Sequence, residues 1–140
     1  MTGVSQGRDA AQVHGGIATR GPLPVSLIDP TQSALERAIQ GASMRQQLLA
    51  GNLANVNTPG YGRRDVDFHG ALREAMQTGD PTRAAFVATT ETASVSADGN
   101  GIDLDREAAE LAKNALDQQA LVTVARARVD MMVTAITGQG

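Results

Sequence analysis

The chain has 140 residues, a formal net charge of −3 and no cysteine. This length suits one ordinary domain, the charge gives no electrostatic footprint for nucleic acid, and the lack of cysteine excludes disulfide and thiolate chemistry. Hydrophobic residues make up 41% of the chain but aromatic residues only 2%, and the small side chain of alanine supplies much of the apolar count. Because burial stabilises in proportion to apolar area, we expect a thin core and a place in a larger assembly.

Residues 1–28 are rich in glycine, glutamine, serine and proline and show no sustained hydrophobic period. This composition predicts a flexible N-terminal extension. The first 20 residues lack the continuous apolar run of a cleavable secretory signal. No stretch approaches the roughly 20 apolar residues of a membrane-spanning helix, so we expect no direct membrane span.

A first long helix is predicted within residues 29–57. Asp29 is a good N-cap, Pro30 suits the first helical position, and Gln32 is placed to complete a capping box. The positions that follow recur at spacings of four and three, which is a heptad-like seam. The seam consists of Leu35, Ile39, Ala42, Gln46, Leu49, Leu53 and Val56. At a rise of about 1.5 Å per residue, a helix over 31–56 would be roughly 39 Å long.

The run of residues 50–61, AGNLANVNTPGY, predicts the end of that helix and a tight turn. Thr58 precedes a proline, which disfavours the α conformation at Thr58. Pro59 and Gly60 fit the two central positions of a type II turn, in which Gly60 takes a positive φ. Tyr61 follows directly, and it is a candidate interface anchor or a cover for its own hairpin.

Residues 58–102 are predicted to form an irregular, weakly β middle segment. Val66 and Phe68 alternate with aspartates, which predicts a short strand over 63–68. One or two helical turns are expected over 69–77. Weak extended segments are expected over 86–90 and 93–96, and Asn100-Gly101 suits a type I′ turn.

A second long helix is predicted within residues 103–140. Asp103 or Asp105 can cap it, and Glu107 lies in the first turn near the positive end of the helix dipole. Its seam also has spacings of three and four throughout. The seam consists of Ala108, Leu111, Ala115, Gln118, Val122, Ala125, Val129, Met132 and Ile136.

The two long helices predict a mainly α fold, with the terminal helices forming a coiled-coil-like hairpin or bundle layer. Each seam contains one glutamine, Gln46 and Gln118. We interpret these two residues chiefly as seam-edge positions in water, with a role in fixing register as the alternative. The pair Arg63-Arg64 is interpreted as a solvated or locally paired charge cluster, or as a contact for a neighbour's carboxylates.

No residue pattern indicates an enzyme, and we predict no catalytic, cofactor or metal site. The two histidines, His14 and His69, lie in different segments, and neither has a partner at ligand spacing. Neither a nucleophile elbow nor a phosphate-cradling loop is present. An alternative is a small calcium-binding module, because oxygen-bearing side chains cluster near the second helix. They are Asp98, Asn100, Asp103, Asp105 and Glu107, although a turn followed by helix capping explains them more simply.

Two motifs resemble those of the bacterial flagellar basal-body rod proteins. The run NLANVNTPGY at 52–61, continued by RDVDF at 64–68, is similar to the motif that ends the first helix of these axial proteins. The D-x-D-F continuation points to the proximal rod branch of the family. Residues 103–107 and 110–116 resemble the closing helix. The resemblance covers about 31–137, and it departs from the family at the longer extension 1–28 and at Gln118, where an aromatic residue is common.

The resemblance implies a non-enzymatic structural subunit of the proximal rod, located in the periplasmic part of the basal body. It further implies export from the cytoplasm by the flagellar type III apparatus without a cleaved signal peptide. The implied partners are other flagellar rod proteins, the rod-to-membrane-ring adaptor, the flagellar export gate and copies of the chain itself. The alternative is a soluble helical-hairpin adaptor or chaperone that binds partner helices.

The candidate assembly residues are those of the first motif together with seam positions of both helices. They are Asn52, Leu53, Ala54, Asn55, Asn57, Thr58, Pro59, Gly60, Tyr61, Leu49, Leu111, Val122, Val129, Met132 and Ile136.

Overall fold

The computed structural model describes residues 29–91 and 102–138. Three helices and two short strands follow in chain order: α1 (Pro30–Ala54), β1 (Arg63–Asp65), α2 (Phe68–Gln77), β2 (Thr89–Glu91) and α3 (Leu104–Thr137). A single 3-10 turn, Pro81–Arg83, lies between α2 and β2. The predicted mainly α fold with a weakly β middle is confirmed. The extension 1–28, the extended segment 93–96 and the turn at Asn100-Gly101 lie outside the described residues.

α1 begins at the predicted cap. The Asp29 carboxylate accepts a hydrogen bond of 2.9 Å from the backbone N–H of Gln32, and Pro30 occupies the first turn. The second half of the predicted capping box is wrong. The Gln32 side chain instead donates to Glu36 at 3.0 Å, because this carboxylate lies one turn along the same helix face.

α1 ends at Ala54, where Asn55 forms the C-cap. The Asn55 side chain donates to the carbonyl of Gly51 at 2.8 Å, so it satisfies one of the carbonyl groups that a helix end leaves without a partner. The predicted turn follows. Tyr61 N–H donates to the Thr58 carbonyl at 3.2 Å, and Gly60 has a φ of 75°, in the region that favours glycine.

The middle segment is a small antiparallel sheet beside a short helix. β1 pairs with β2 so that Arg63 lies opposite Glu91. The predicted strand over 63–68 is too long, because the Asp67 carboxylate accepts from Gly70 N–H at 2.8 Å and caps α2 from Phe68 onward. α2 has ten residues, so it is also longer than the predicted one or two turns.

α1 and α3 pack antiparallel. Asp29, at the start of α1, pairs with Arg128, whereas Asn52, at its end, contacts Glu107. α1 has 25 residues and α3 has 34, which correspond to about 38 Å and about 51 Å. The last turns of α3 therefore extend past the start of α1.

The core is thin, as the composition predicts. Among the described residues, the buried apolar side chains besides Pro81 are five alanines and four larger residues: Ala34, Ala38, Ala42, Ala75, Ala84, Leu49, Val66, Phe68 and Ile102. Gly41 of α1 allows α2 to approach closely, because a Cβ atom added there would lie 2.6 Å from the Cβ of Phe68. Stability in such a core depends on close backbone approach as well as on buried apolar area.

The predicted seam of α3 matches the face that meets α1 only in part. The buried residues of α3 are Glu107 and Asn114, whereas Ala108 and Ala115 are exposed. Each alanine follows its buried neighbour by one position, which turns it by about 100° around the helix. The prediction was wrong at these two positions because it followed apolar residues, whereas the fully buried positions of α3 are polar.

Candidate assembly surfaces

Asn52 of the first motif connects three elements. Its Oδ1 accepts from the backbone N–H of Arg64 at 2.9 Å, and its Nδ2 donates to the carbonyl of Arg64 at 2.7 Å. The side-chain amide thus bonds the edge of β1 as a neighbouring strand would. Nδ2 also donates to Glu107 at 2.9 Å. The fully buried Asn52 therefore holds α1, β1 and α3 together.

Glu107 is a buried carboxylate at the centre of this junction. Its side chain is fully covered, and it accepts hydrogen bonds from Arg63 Nε and from Asn52. Arg63, which is only 4% exposed, also pairs with Asp65 and with Glu91, each at 3.0 Å. The interpretation of Arg63 as locally paired is confirmed for its contact with Asp65, whereas a solvated Arg63 is wrong because its side chain is buried. Arg64 is exposed. A charge buried at this depth is tolerated because it is paired and hydrogen-bonded.

A second ion pair lies beside the first. Arg45 of α1 donates two hydrogen bonds to the Asp65 carboxylate, at 2.8 and 3.0 Å, and one to Glu110 of α3 at 2.8 Å. Burial disfavours the Asp65 carboxylate, but hydrogen bonds from Arg45, from the Val66 N–H and from Arg63 outweigh it. Together they hold the pKa of Asp65 at about 2, below its ordinary value of 3.8.

Polar contacts continue along the pair of long helices. Asn114 donates from Nδ2 to the carbonyl of Ala42 and to Oε1 of Gln46, both at 2.9 Å. Gln118 donates to Ser43 Oγ at 3.1 Å. The interpretation of the two glutamines as water-facing edge residues is therefore wrong, since both bond across the helix pair.

The first motif divides into an inward half and an exposed turn. In the inward half, Asn52 holds the junction and Asn55 caps α1. Leu49 is fully buried and Leu53 is half-buried. Tyr61 is also half-buried, and its hydroxyl lies 3.7 Å from the place of a Cβ on Gly51, so it covers its own helix. The remaining members are exposed: Ala54, Asn57, Thr58, Pro59 and Gly60.

The candidate residues of α3 lie at different distances from the motif. Leu111 follows Glu107 by one turn and is half-buried, as are Val122 and Met132. Val129 is 22 residues beyond Glu107, about 33 Å along the helix axis. The structure therefore places Leu111 near the motif, while Val129, Met132 and Ile136 lie towards the opposite end of the helix pair.

α3 carries two exposed apolar stripes. The outer stripe, Leu116, Val124 and Met131, has spacings of eight and seven residues, so its members share one side of the helix. These side chains are 54–68% exposed. The tail stripe, Val129, Met132 and Ile136, continues the α1-facing side of α3 beyond Arg128, where the contact with Asp29 ends the helix pair. Its exposed members are Val129 and Ile136, at 44% and 75%, whereas Met132 between them is half-buried.

The described part of the chain holds no group of three or more metal-ligating side chains placed to bind an ion. In the calcium alternative, Asp98 and Asn100 lie outside the described residues, and the Glu107 carboxylate faces Arg63 rather than a cation site. Within 29–91 and 102–138, no helix combines the length and apolar character needed to cross a membrane.

Sequence reasoning missed Glu107, Asn114 and Arg45 as partners across elements. An acidic residue in a first helical turn is ordinarily explained by the helix dipole, and Glu107 gave no further local signal. Its contacts with Arg63 and Asn52 span 44 and 55 residues of chain.

No family model matches the chain. Several curated proteins named flagellar basal body rod protein FlgB do match it over most of their length. The Escherichia coli K12 protein is 30% identical over 134 residues, covering 79% of this chain and 97% of the relative. The Bacillus subtilis protein is 32% identical over 128 residues, covering 81% and 98%. The Cereibacter sphaeroides protein is 32% identical over 108 residues, covering 68% and 84%. This chain belongs to the FlgB family of flagellar basal body rod proteins.

Proposed function

We propose that this chain is a non-enzymatic structural subunit of the proximal rod that assembles with other axial proteins through α1 and α3. The relatives from E. coli and B. subtilis carry the name of basal body rod protein. The observation that carries the finer proposal is the pair of exposed apolar stripes on α3. Contiguous exposed apolar surface typically marks a site of protein interaction.

The two stripes require more than one neighbour. At about 100° per residue, the outer stripe and the tail stripe lie on nearly opposite sides of α3. A single partner helix covers one side of a helix. Covering both stripes therefore takes at least two partners, which favours a packed assembly over a soluble hairpin adaptor that binds one helix.

The candidate motif and the tail stripe supply the two ends of the subunit. The exposed turn at residues 57–60 lies at the end of α1, while the tail stripe extends past its start. We assign the turn to contacts at one end of the subunit and Val129, Met132 and Ile136 to contacts at the other. Leu49, Asn52 and Asn55 act inside the subunit and hold the turn in place.

The proposed neighbours are other flagellar rod proteins, the rod-to-membrane-ring adaptor, the flagellar export gate and copies of the same chain. The proposed location is the periplasmic rod, reached from the cytoplasm by flagellar export without a cleaved signal peptide. The net charge of −3 makes nucleic acid an unsuitable partner.

The test compares Val124→Asp in the outer stripe with Gln119→Asp on an exposed polar side of the same helix. Each replaces the chromosomal gene in the source bacterium, and purified basal bodies are examined by electron microscopy alongside swimming assays. Val124→Asp should give membrane rings without a rod and abolish swimming, because it places a charge in an apolar contact. Gln119→Asp should leave both intact, with equal protein levels by immunoblot. Complete rods in the Val124→Asp strain, or equal loss in both strains, would contradict the assignment.

A further inference from the structure

One face near the end of α3 carries apolar and charged side chains together. Its apolar members, Val129, Val133 and Ile136, are exposed and lie within about 60° of one another around the helix. Two exposed residues of opposite charge, Arg126 and Asp130, lie along one edge of this face. We call these five residues the side face of α3.

We propose that two copies of the free chain pair antiparallel through the side face. In a two-fold pair, the same surface of each copy contacts the other. Arg126 and Asp130 lie two positions before and two positions after Arg128. A two-fold axis beside Arg128 therefore sets Arg126 of each copy opposite Asp130 of the other. The side face is complementary in charge to a second copy of itself, and this complementarity selects the occupant.

The order of the two charges favours a contact between copies. Within one helix, an acidic residue pairs better with a basic residue four positions after it than in the reverse order, and here Arg126 precedes Asp130. A parallel pair of helices would set each charge against its own kind, which opposes association. The antiparallel pair is the arrangement that satisfies both charges.

The apolar residues match in the same arrangement. With the axis beside Arg128, Val133 of one copy comes close to the level of Val122 of the other. At that level, Ile39, Val122 and Ala125 line an open groove between α1 and α3. Val133 therefore meets apolar side chains of the second copy, and burial of these side chains stabilises the pair.

The uneven length of the helix pair leaves space for the second copy. α1 accompanies α3 only up to Arg128, and α3 continues to Thr137. In an antiparallel pair with its axis beside Arg128, the two α1 helices run from the axis in opposite directions. Each projecting end of α3 then lies beside the part of the other copy where α1 and α3 are paired, and the two α1 helices do not collide.

This pairing would keep the free chain out of a growing assembly. It covers Val129 and Ile136, which we assign above to contacts at one end of the subunit. A two-fold interface closes on itself and leaves no surface of the same kind for a third copy. The pair would therefore dissociate before a chain joins the rod. Pairing is a property of the free chain, so it is measured independently of rod assembly.

Sedimentation equilibrium of the full-length chain tests the pairing. The wild-type chain should show a reversible monomer–dimer equilibrium. Arg126→Asp and Asp130→Arg should each raise the dimer dissociation constant by at least about tenfold, because each gathers four like charges at the axis. An equimolar mixture of the two variants should regain at least the wild-type affinity, since one copy then supplies two acidic side chains and the other supplies two basic ones. Misfolded variants could not regain it.

The matched control is Lys113→Asp, which changes the net charge by as much as Arg126→Asp does. Lys113 is exposed and lies 15 residues before Arg128, about 22 Å along the helix and beyond the range of screened charges. The control should leave the dissociation constant unchanged. Equal weakening by Lys113→Asp and Arg126→Asp would overturn the proposal, because it would reduce the effect to net charge.

The orientation of the two copies is measured by dipolar spectroscopy on Ala112→Cys labelled with a nitroxide, since the chain has no other cysteine. Ala112 is exposed and lies 16 residues before Arg128. An antiparallel pair separates the two labels by about 48 Å along the helix axes, whereas a parallel pair brings them side by side. A monomeric wild-type chain, a mixture of variants that stays monomeric, or labels held side by side would each overturn the proposal.

Discussion

Replacing Glu107 with alanine should lower the free energy of unfolding by about 3 kcal/mol. The substitution removes the buried carboxylate to which both Arg63 and Asn52 donate. The Arg63 guanidinium then stays buried with one partner fewer. Removing one member of a buried ion pair costs roughly 3–5 kcal/mol. We place this site at the lower end of that range because Arg63 keeps its contacts with Asp65 and Glu91.

A loss of about 3 kcal/mol is a large part of the free energy of unfolding of a small domain. Small domains unfold with a free energy of about 5–15 kcal/mol, and about 1 kcal/mol shifts the melting temperature of a 60–100-residue domain by roughly 4–8 °C. Glu107→Ala should therefore lower the melting temperature by at least 12 °C or so. Urea titration followed by far-ultraviolet circular dichroism gives the free energy directly, and the wild-type chain provides the slope for comparison.

The matched control is Glu110→Ala, one turn further along α3. Glu110 also pairs with an arginine, Arg45, at 2.8 Å, but its side chain is 31% exposed. Exposed pairs contribute about 0–1 kcal/mol, and Arg45 keeps Asp65, so the control should lose less than about 1 kcal/mol. Equal losses in the two variants would refute the argument that burial makes Glu107 a structural centre.

Three further expectations concern the same subunit in solution. The lowered pKa of Asp65 contributes about 2 kcal/mol to the free energy of unfolding. This contribution is present above about pH 4 and disappears as the pH falls through about 2. Asp65→Asn should remove this part of the pH dependence of the urea midpoint, and an unchanged pH profile would contradict the prediction. Gly41→Ala should lower the free energy of unfolding by about 1–3 kcal/mol because the added Cβ would press on Phe68. Gly51→Ala, where the nearest atom to the added Cβ lies at 3.7 Å, should instead stabilise α1 by up to about 1 kcal/mol. A higher melting temperature for Gly41→Ala than for Gly51→Ala would exclude this packing. Gly60→Val should lower the free energy of unfolding by about 1–2 kcal/mol, because a φ of 75° is unfavourable for a branched side chain. Gly60→Asn should lose much less in urea titration, because asparagine tolerates this φ and no atom lies within 4 Å of the added Cβ. Equal losses in the two variants would contradict a backbone cause and point to a steric one.

The parts of the fold that depend on neighbouring residues were predictable. Asp29 and Pro30 indicate a helix start through cap chemistry that acts within one turn, and the structure begins α1 there. Pro59 and Gly60 predict a turn for the same kind of reason, and Gly60 has the expected positive φ. The boundary between β1 and α2 was misplaced because Asp67, which fits an alternating strand pattern, acts as a helix cap instead.

The polar contacts between the helices were not predictable from local pattern. Asn114 bonds to residues 68 and 72 positions away, and hydrophobic periodicity passes over an asparagine. For the candidate site, the motif itself was recognisable in the sequence. Its division was not, because only the packed structure distinguishes Asn52, which points inward, from the exposed Asn57.

The polar face between α1 and α3 separates two tasks within one subunit. The hydrogen bonds that Asn114 and Gln118 donate and the one that Glu107 accepts from Asn52 are directional, so sliding α3 by one turn, about 5.4 Å, would break all of them at once. These contacts therefore fix the register of α3 against α1. Apolar contact, by contrast, is non-directional, and it is the character of the outward stripes. In the proposed assembly, such a subunit would keep its own shape fixed while its outward stripes accept neighbouring subunits at slightly different angles.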